Sequence, residues 1–450
     1  MVVLALVGVI SCLLLQQPGP QTISLPDASQ LTFLKITHGT NHVCRFGNRW
    51  QDVLHPILPR KLRAKFPPHV MQFSSGGGGE SAMVWLRHDG GAVSGGWPPA
   101  FFIAVVDANG LESPLLHSAN VTRTLSSSAA PALPVAPSQI SGWELRNFPR
   151  RAAQFEIRVY LRGPTGRVVR IGEFVSHNPH PGKFPIWTGE TLPAARNTNE
   201  LEISLIKLET GLTGKETGHG PAGENAKSYS RATFRLKENG RLTEKWSVCD
   251  INVSNAAGEV RPVGSYGSRW ERGEHKVDFE GALWLEEAAW ELAVNFARTA
   301  DFPPDELWFI KGVGVPRAGE LIETRVVTNL SHEELEFLGV SGPQTNLPEG
   351  YAGVQPHANL HVRTPHPMDG LRVVLVEARD QDRKLKTSGS TARTSTGGRG
   401  ITPKEMLHGF AIEIPEDAKS LDLTFAATPV RRVEFMARPV IFESGPETRK

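Results

Sequence analysis

Short runs in which apolar and polar residues alternate dominate this sequence, and they constrain the fold more than any other feature. Residues 155–161, 201–208 and 421–426 are examples. Because successive side chains of a strand point to opposite faces of its sheet, each run predicts a half-buried strand. Turn-forming residues separate the runs, with 44 Gly and 34 Pro among 450 residues. The pattern therefore predicts an all-β protein built from antiparallel sheets.

Two stretches carry signals for helix as well as strand. Residues 286–289 favour a helix, but residues 290–298 alternate, and we predict a strand that begins at Trp290. The dipeptide Thr402-Pro403 has the order of a helix cap followed by a first-turn proline, so it predicts a helix of one or two turns.

The length of the chain is typical of about three domains. Turn-forming residues cluster without periodicity over residues 177–199, which we predict to be a linker between two domains. A second domain boundary is predicted near residue 316. We predict three consecutive β-sandwich domains of immunoglobulin-like or related topology, separated in part by that linker. Their ranges are 21–176, 200–316 and 317–450, with the linker at 177–199 and a mobile loop, rich in Ser, Thr and Gly, at 384–400.

The N-terminus is a short hydrophobic segment, apolar almost throughout residues 2–15. As a helix this run would reach about 21 Å, whereas the hydrocarbon layer of a bilayer is about 30 Å thick. It predicts a signal peptide or a membrane anchor over residues 1–20, and Cys12 adds a third alternative, because the residues before it resemble a relaxed lipobox in which this cysteine is lipidated. All three alternatives place the rest of the chain outside the cytoplasm, at the cell membrane or secreted.

Several chemistries lack their sequence signals. A net charge of +2 gives no field that would attract nucleic acid. We find no G-x-S-x-G motif, no phosphate-binding glycine loop and no C-x-x-C pair, so we predict no catalytic residues, no cofactor and no zinc ribbon. Cys44 and Cys249 fall in different predicted domains, and we expect buried thiols rather than a disulfide. The histidines form three groups without carboxylates at ligand spacing, and we predict no metal site: His38 and His42; His177 and His180; His357, His361 and His366.

The ten tryptophans divide into two classes. Trp97 and Trp187 lie in predicted loops, where an exposed aromatic ring could form a platform for a ligand such as a sugar. The others that we interpret lie inside alternating runs and are predicted to be core residues: Trp85, Trp143, Trp284, Trp290 and Trp308.

Serial sandwiches without a catalytic constellation favour a non-enzymatic function. The leading hypothesis is an extracytoplasmic, membrane-anchored scaffold that binds an envelope or surface protein. The alternative is an array of carbohydrate-binding modules that binds a polysaccharide, and a glycan-active enzyme ranks third. A scaffold predicts an exposed sheet edge or apolar patch, a sugar binder predicts coplanar exposed tryptophans, and an enzyme predicts two carboxylates that converge in a groove.

Overall fold

The protein is described by a computed structural model that is almost entirely strand. It covers residues 21–46, 59, 69–75, 80–90, 101–116, 119–125, 138–162, 168–213, 216, 228–262, 266–330, 333–342, 357–365, 370–394 and 405–443. Strands make up 66% and helix 1%, in several antiparallel sheets, so the all-β prediction is confirmed. A 3-10 turn spans Pro304–Glu306. Within these ranges, no helix has the length and apolar character to cross a membrane. The predicted hydrophobic helix of residues 1–20, including Cys12, lies outside them.

The N-terminal part of the chain forms a five-stranded, a three-stranded and a two-stranded sheet. In spatial order, the five-stranded sheet contains β1 (Thr22–Ser24), β2 (Gln30–Gly39), β5 (Ser81–Asp89), β8 (Ser138–Leu145) and β7 (Val121–Leu125). The other two contain β10 (Val168–His177), β9 (Gln154–Arg162) and β6 (Phe101–Val106), and β3 (Asn41–Phe46) and β4 (His69–Ser74).

The middle of the chain forms a seven-stranded and a four-stranded sheet. The main path of the seven-stranded sheet is β11 (Ala194–Thr198), β12 (Leu201–Leu212), β13 (Tyr229–Glu238), β18 (Glu274–Glu280) and β17 (Tyr266–Glu271). Two short strands join its sides, β14 (Arg241–Leu242) on β13 and β30 (Val440–Ile441) on β12. The four-stranded sheet contains β16 (Val260–Pro262), β15 (Trp246–Asn255), β19 (Trp290–Arg298) and β29 (Arg431–Ala437).

The C-terminal part forms a four-stranded and a five-stranded sheet. The first contains β20 (Leu307–Gly314), β28 (Ser420–Pro429), β24 (Leu371–Asp380) and β25 (Arg383–Lys384). The second contains β21 (Leu321–Leu330), β22 (Glu333–Ser341), β23 (Ala358–Pro365), β27 (Glu405–Ile412) and β26 (Thr387–Thr394).

Three large hydrophobic cores hold these sheets together, and each receives side chains from two sheets. The N-terminal core lies between the five- and three-stranded sheets and includes Phe174. The central core joins the seven- and four-stranded sheets around Trp284 and Trp290. The C-terminal core joins its four- and five-stranded sheets around Phe337 and Phe425. Removal of this apolar surface from water is the main favourable contribution to folding.

The chain returns to the central core at its end. After β19 it builds the C-terminal core from β20 to β28, and β29 then pairs with β19 while β30 pairs in parallel with β12. The buried residues Val433, Phe435 and Ala437 of β29 belong to the central core. The predicted domain ranges stay predictions. The alternation of apolar and polar residues did not indicate that β29 and β30 join the central sheets, because pairing between distant strands leaves no local pattern.

Local predictions had mixed outcomes. The strand predicted from Trp290 is confirmed as β19. The short helix predicted after Thr402-Pro403 is wrong, because residues from Glu405 onward form β27 between β23 and β26. A second part of the same sheet, β26, occupies residues 387–394 of the predicted mobile loop, and β11 occupies residues 194–198 of the predicted linker. In each case a neighbouring strand offers backbone partners that override the local composition.

The N-terminal and central cores meet at a polar junction, which we define by Glu112, Arg150 and Arg151 on one side and Ala257, Ala282 and Glu287 on the other. The Arg150 guanidinium donates to the Ala257 carbonyl at 3.0 Å, and the Ala282 amide donates to the Glu112 carbonyl at 3.0 Å. Arg151 pairs with Glu287 at 2.9 Å. These contacts attach the two cores through buried hydrogen bonds.

Candidate binding groove

A surface groove of about 600 Å³ runs between β11 and β29. The two strands are edges of different sheets on the central core. The lining comes from residues 196–198 of β11, residues 432–436 of β29, and the side chains of Glu190 and Glu291. The groove therefore lies along the open side of the central pair of sheets.

Strand β29 presents one edge of its backbone to the groove. Its other edge pairs with β19, in a register that places Glu434 opposite Ala293 and Met436 opposite Glu291. In an antiparallel strand, the N–H and C=O groups of alternate residues point to opposite edges. Because the Glu434 carbonyl and both backbone groups of Met436 bind atoms across the groove, residues 432, 434 and 436 are the outward-facing set.

Part of this edge is covered by the segment before β11. The Glu190 amide donates to the Met436 carbonyl at 2.7 Å, and the Met436 amide donates to Glu190 Oε1 at 3.0 Å. Arg196 Nε donates to the Glu434 carbonyl at 3.0 Å. Gly189 permits this close approach, because a Cβ atom there would lie 3.1 Å from the Arg438 nitrogen. Glu190 thus covers both backbone groups of Met436, one with its amide and the other with its side-chain carboxylate.

Arg196 and Glu190 form an ion pair at this end of the groove. The Arg196 guanidinium also lies 5.0 Å from the centre of the Phe435 ring, a cation–π contact. Burial raises the pKa of Glu190, but hydrogen bonds from Arg196 and the Met436 amide outweigh it and leave the pKa below its usual value. Glu190 is therefore ionised at neutral pH, and its carboxylate binds both Arg196 and the Met436 amide.

The remaining charges of the groove are less completely paired. Arg432 and Glu434 form an exposed ion pair at 3.0 Å along β29. Glu291 accepts a hydrogen bond from the Ser254 hydroxyl at 2.8 Å and joins no ion pair within the described part of the chain. The groove carries three carboxylates and two guanidinium groups, so its lining has an excess of negative charge.

The chemistry that the groove can support is set by its charged side chains and its backbone edge. A general acid at neutral pH needs a raised pKa, whereas the pKa of Glu190 is lowered. No group of three or more His, Cys, Asp or Glu side chains stands at metal-binding distance in the ranges that the structure describes. What the groove offers is an open strand edge flanked by charged side chains.

The residues singled out from the sequence lie elsewhere. Trp187 is half-buried, three residues before Glu190, and is not part of the groove lining. Trp97 and Cys12 lie outside the described residues. The five tryptophans predicted to be core residues are all buried, which confirms that prediction.

Two of the histidine groups meet in space. His38 of β2 stacks on His180 with ring centres 5.0 Å apart, and His42 contacts the Thr37 and Ser81 hydroxyls at 3.0 and 3.1 Å. His361 in turn contacts the Ser341 hydroxyl at 2.9 Å. These rings serve as stacking and hydrogen-bonding partners.

Neither Cys44 nor Cys249 is part of the groove lining. Cys44 is buried and Cys249 is half-buried, and no disulfide joins them. Burial raises the pKa of the Cys249 thiol, although Arg372 opposes the shift. A raised pKa keeps this thiol protonated and unreactive.

The residues of the groove carried no signal in the sequence. Arg196 and Glu434 are brought together only by the return of β29, and short charged strands of this kind are common surface patterns. No protein family and no curated protein matches the chain. A functional argument therefore depends on the geometry of the groove.

Proposed function

We propose that the protein is a non-enzymatic, extracytoplasmic scaffold that binds another protein through the groove between β11 and β29. The observation that carries this proposal is the partly open backbone edge of β29, which faces a groove lined by charged side chains. Exposed strand edges are common docking surfaces for other polypeptides. Function resides in this edge, and the sheets hold it in place.

The proposal includes three β-sandwich domains of immunoglobulin-like or related topology. Three hydrophobic cores that each receive side chains from two sheets support it. It also includes attachment to the cell membrane, or secretion, through residues 1–20, on the strength of the apolar run in that segment.

A carbohydrate-binding function is the second candidate, and Trp187 is the observation in its favour. Its half-buried ring lies three residues before Glu190, in the segment that leads into the groove. Sugar rings stack on exposed aromatic faces, and the lining of the groove contains a single aromatic residue, Phe435, which is 1% exposed. The charged lining favours a polypeptide over a neutral sugar.

The test measures retention of the purified full chain on isolated cell-envelope fractions and on a panel of insoluble polysaccharides. One variant exchanges the groove pair, Arg432→Glu with Glu434→Arg, which keeps an ion pair but reverses its direction. The matched control exchanges Glu377→Arg with Arg379→Glu on β24, a pair with the same spacing at 2.8 Å. We expect the groove exchange alone to reduce retention on the envelope fraction.

Protease treatment of the envelope fraction separates the two candidates. Loss of retention after proteolysis, together with loss in the groove exchange, supports a protein partner. Retention on a polysaccharide that falls in Trp187→Ala supports the carbohydrate alternative. Equal retention of both exchange variants would show that the groove is not the binding site.

A further inference from the structure

We infer that the groove binds an extended segment of the partner protein as an additional strand on β29, and that this segment carries a lysine or arginine facing Glu291. The inference rests on the proposed function, since it states how the scaffold holds its partner. The occupant is a polypeptide strand with a basic side chain.

The backbone of β29 is ready to accept a strand. Within the described residues, the Glu434 amide and the backbone amide and carbonyl of Arg432 have no hydrogen-bond partner. They belong to the same outward-facing set as Met436, whose two backbone groups bind Glu190. A strand that continues from the position of Glu190 would pair with these open groups.

The edges of β21 and β10 are interrupted by a bulge and by a side chain, and the corresponding cover on β29 is confined to Met436 and the Glu434 carbonyl. Strand β21 has a bulge between Glu323 and Val326, which distorts its ladder. On β10, the side-chain amide of Gln21 binds both the amide and the carbonyl of Val175, at 2.8 and 2.7 Å. Strand β29 pairs with β19 without any shift of register, so its outer edge is regular. Regular edges accept further strands, and natural proteins usually block them.

The charges of the groove indicate which side chain the partner brings. Glu190 is paired with Arg196, and Glu434 with Arg432, but Glu291 has only the Ser254 hydroxyl. Glu291 lies on β19, one strand inward from the open edge. A cation on an added strand must cross that distance, which favours the long side chains of lysine and arginine.

The experiment uses the full chain and fluorescein-labelled peptides of eight alternating Thr and Val residues, with Lys, Gln or Glu at one central position. Each peptide is also made with N-methyl groups on one or the other set of alternate amides. Two variants form a matched pair: Glu434→Pro removes the outward amide without breaking a bond to β19, and Glu434→Ala keeps it. Glu291→Gln removes the acceptor of the basic side chain.

We expect the Lys peptide to bind up to about fivefold more tightly than the Glu peptide, the upper end of the range for an exposed ion pair. That preference should disappear in Glu291→Gln. Glu434→Pro should weaken binding about tenfold relative to Glu434→Ala, and only one of the two N-methyl patterns should prevent binding. Should Glu434→Pro fail to fold, the N-methyl comparison on the unaltered chain decides the question.

Equal binding of both N-methyl patterns would overturn strand addition, and an equal affinity for Lys and Glu peptides would overturn the role of Glu291. Suppose that no peptide binds while the groove exchange still abolishes retention on the envelope fraction. In that case the inference fails and the proposed function stands. If the groove exchange has no effect either, both are wrong.

Discussion

At the junction, Arg151 and Glu287 pair at 2.9 Å with side chains 19% and 3% exposed, whereas Arg432 and Glu434 of the groove pair at 3.0 Å with side chains 64% and 53% exposed. The two pairs share their chemistry and nearly their distance, and they differ in their access to water. A buried charge that loses its partner is costly, while an exposed charge is resolvated. The junction pair therefore serves to stabilise the fold, whereas the charges of the groove pair are accessible to a partner.

The largest effect is expected behind the junction, at Arg261. Its guanidinium donates to Glu259 and to the Ala282 carbonyl, both at 2.5 Å, and lies over the rings of Trp284 and Trp290. Arg261→Met leaves Glu259 buried without its cation, and we expect a loss of about 3–5 kcal/mol in the free energy of unfolding. Urea unfolding followed by tryptophan fluorescence measures it. A loss below about 1 kcal/mol would mean that the Arg261–Glu259 pair contributes no more to stability than an exposed ion pair.

Packing at the junction gives the second effect. Gly281 has a φ of +95°, and a Cβ atom there would lie 2.8 Å from Pro114 Cδ. Gly281→Ala should cost about 2–4 kcal/mol, from the left-handed backbone and the collision together. Gly240→Ala is the control, because Gly240 has a φ of +77° with open space around it, and should cost about 1–2 kcal/mol. Equal losses in urea unfolding would mean that the junction is loosely packed.

The pH dependence should have opposite signs on the two surfaces. Burial raises the pKa of Glu287 despite Arg151, whereas the pKa of Glu190 is lowered. The free energy of unfolding of the wild type should exceed that of Glu190→Gln at neutral pH, and this difference should be lost as pH falls below about 4.5. The free energy of unfolding of the wild type relative to that of Glu287→Gln should instead decline as pH rises above about 4.5. Urea unfolding between pH 3 and pH 7 measures both slopes, and the change for the partly exposed Glu190 should amount to about 1 kcal/mol or less. Slopes of the same sign would contradict the comparison.

The smallest effect is expected from the groove pair itself. Arg432→Ala removes an exposed side chain whose partner remains in water, so the free energy of unfolding should change by about 0.5 kcal/mol or less. Retention on the envelope fraction should nevertheless fall. A variant that lost both stability and binding would indicate that Arg432 serves the fold.

Sequence reasoning succeeded where local pattern decides the outcome. The alternation after Trp290 predicted β19 because side chains with a period of two must face a core and solvent in turn. It failed after Thr402-Pro403, where the cap signal predicted a helix but the residues from Glu405 onward pair with β23 and β26 as a strand. Tertiary pairing overrides a short propensity signal.

The groove was beyond such reasoning for a related physical reason. Arg196 and Glu434, which are bonded at 3.0 Å, are 238 residues apart in the chain. Nothing near either residue specifies that meeting, because it depends on the pairing of β29 with β19 across the whole C-terminal core. Trp187 illustrates the same limitation of sequence patterns. Its position in a loop was predicted, but nothing in the sequence indicated that Glu190, three residues later, lines a groove.

The pairing of β29 with β19 also has a consequence for the order of events during synthesis. A ribosome releases the chain from its N-terminus, so β19 emerges more than a hundred residues before Arg431. Until then the nascent central sheet has an unfilled edge and lacks Val433 and Phe435 from its core. Synthesis of the C-terminal core thus sets a waiting time during which the edge of β19 is open.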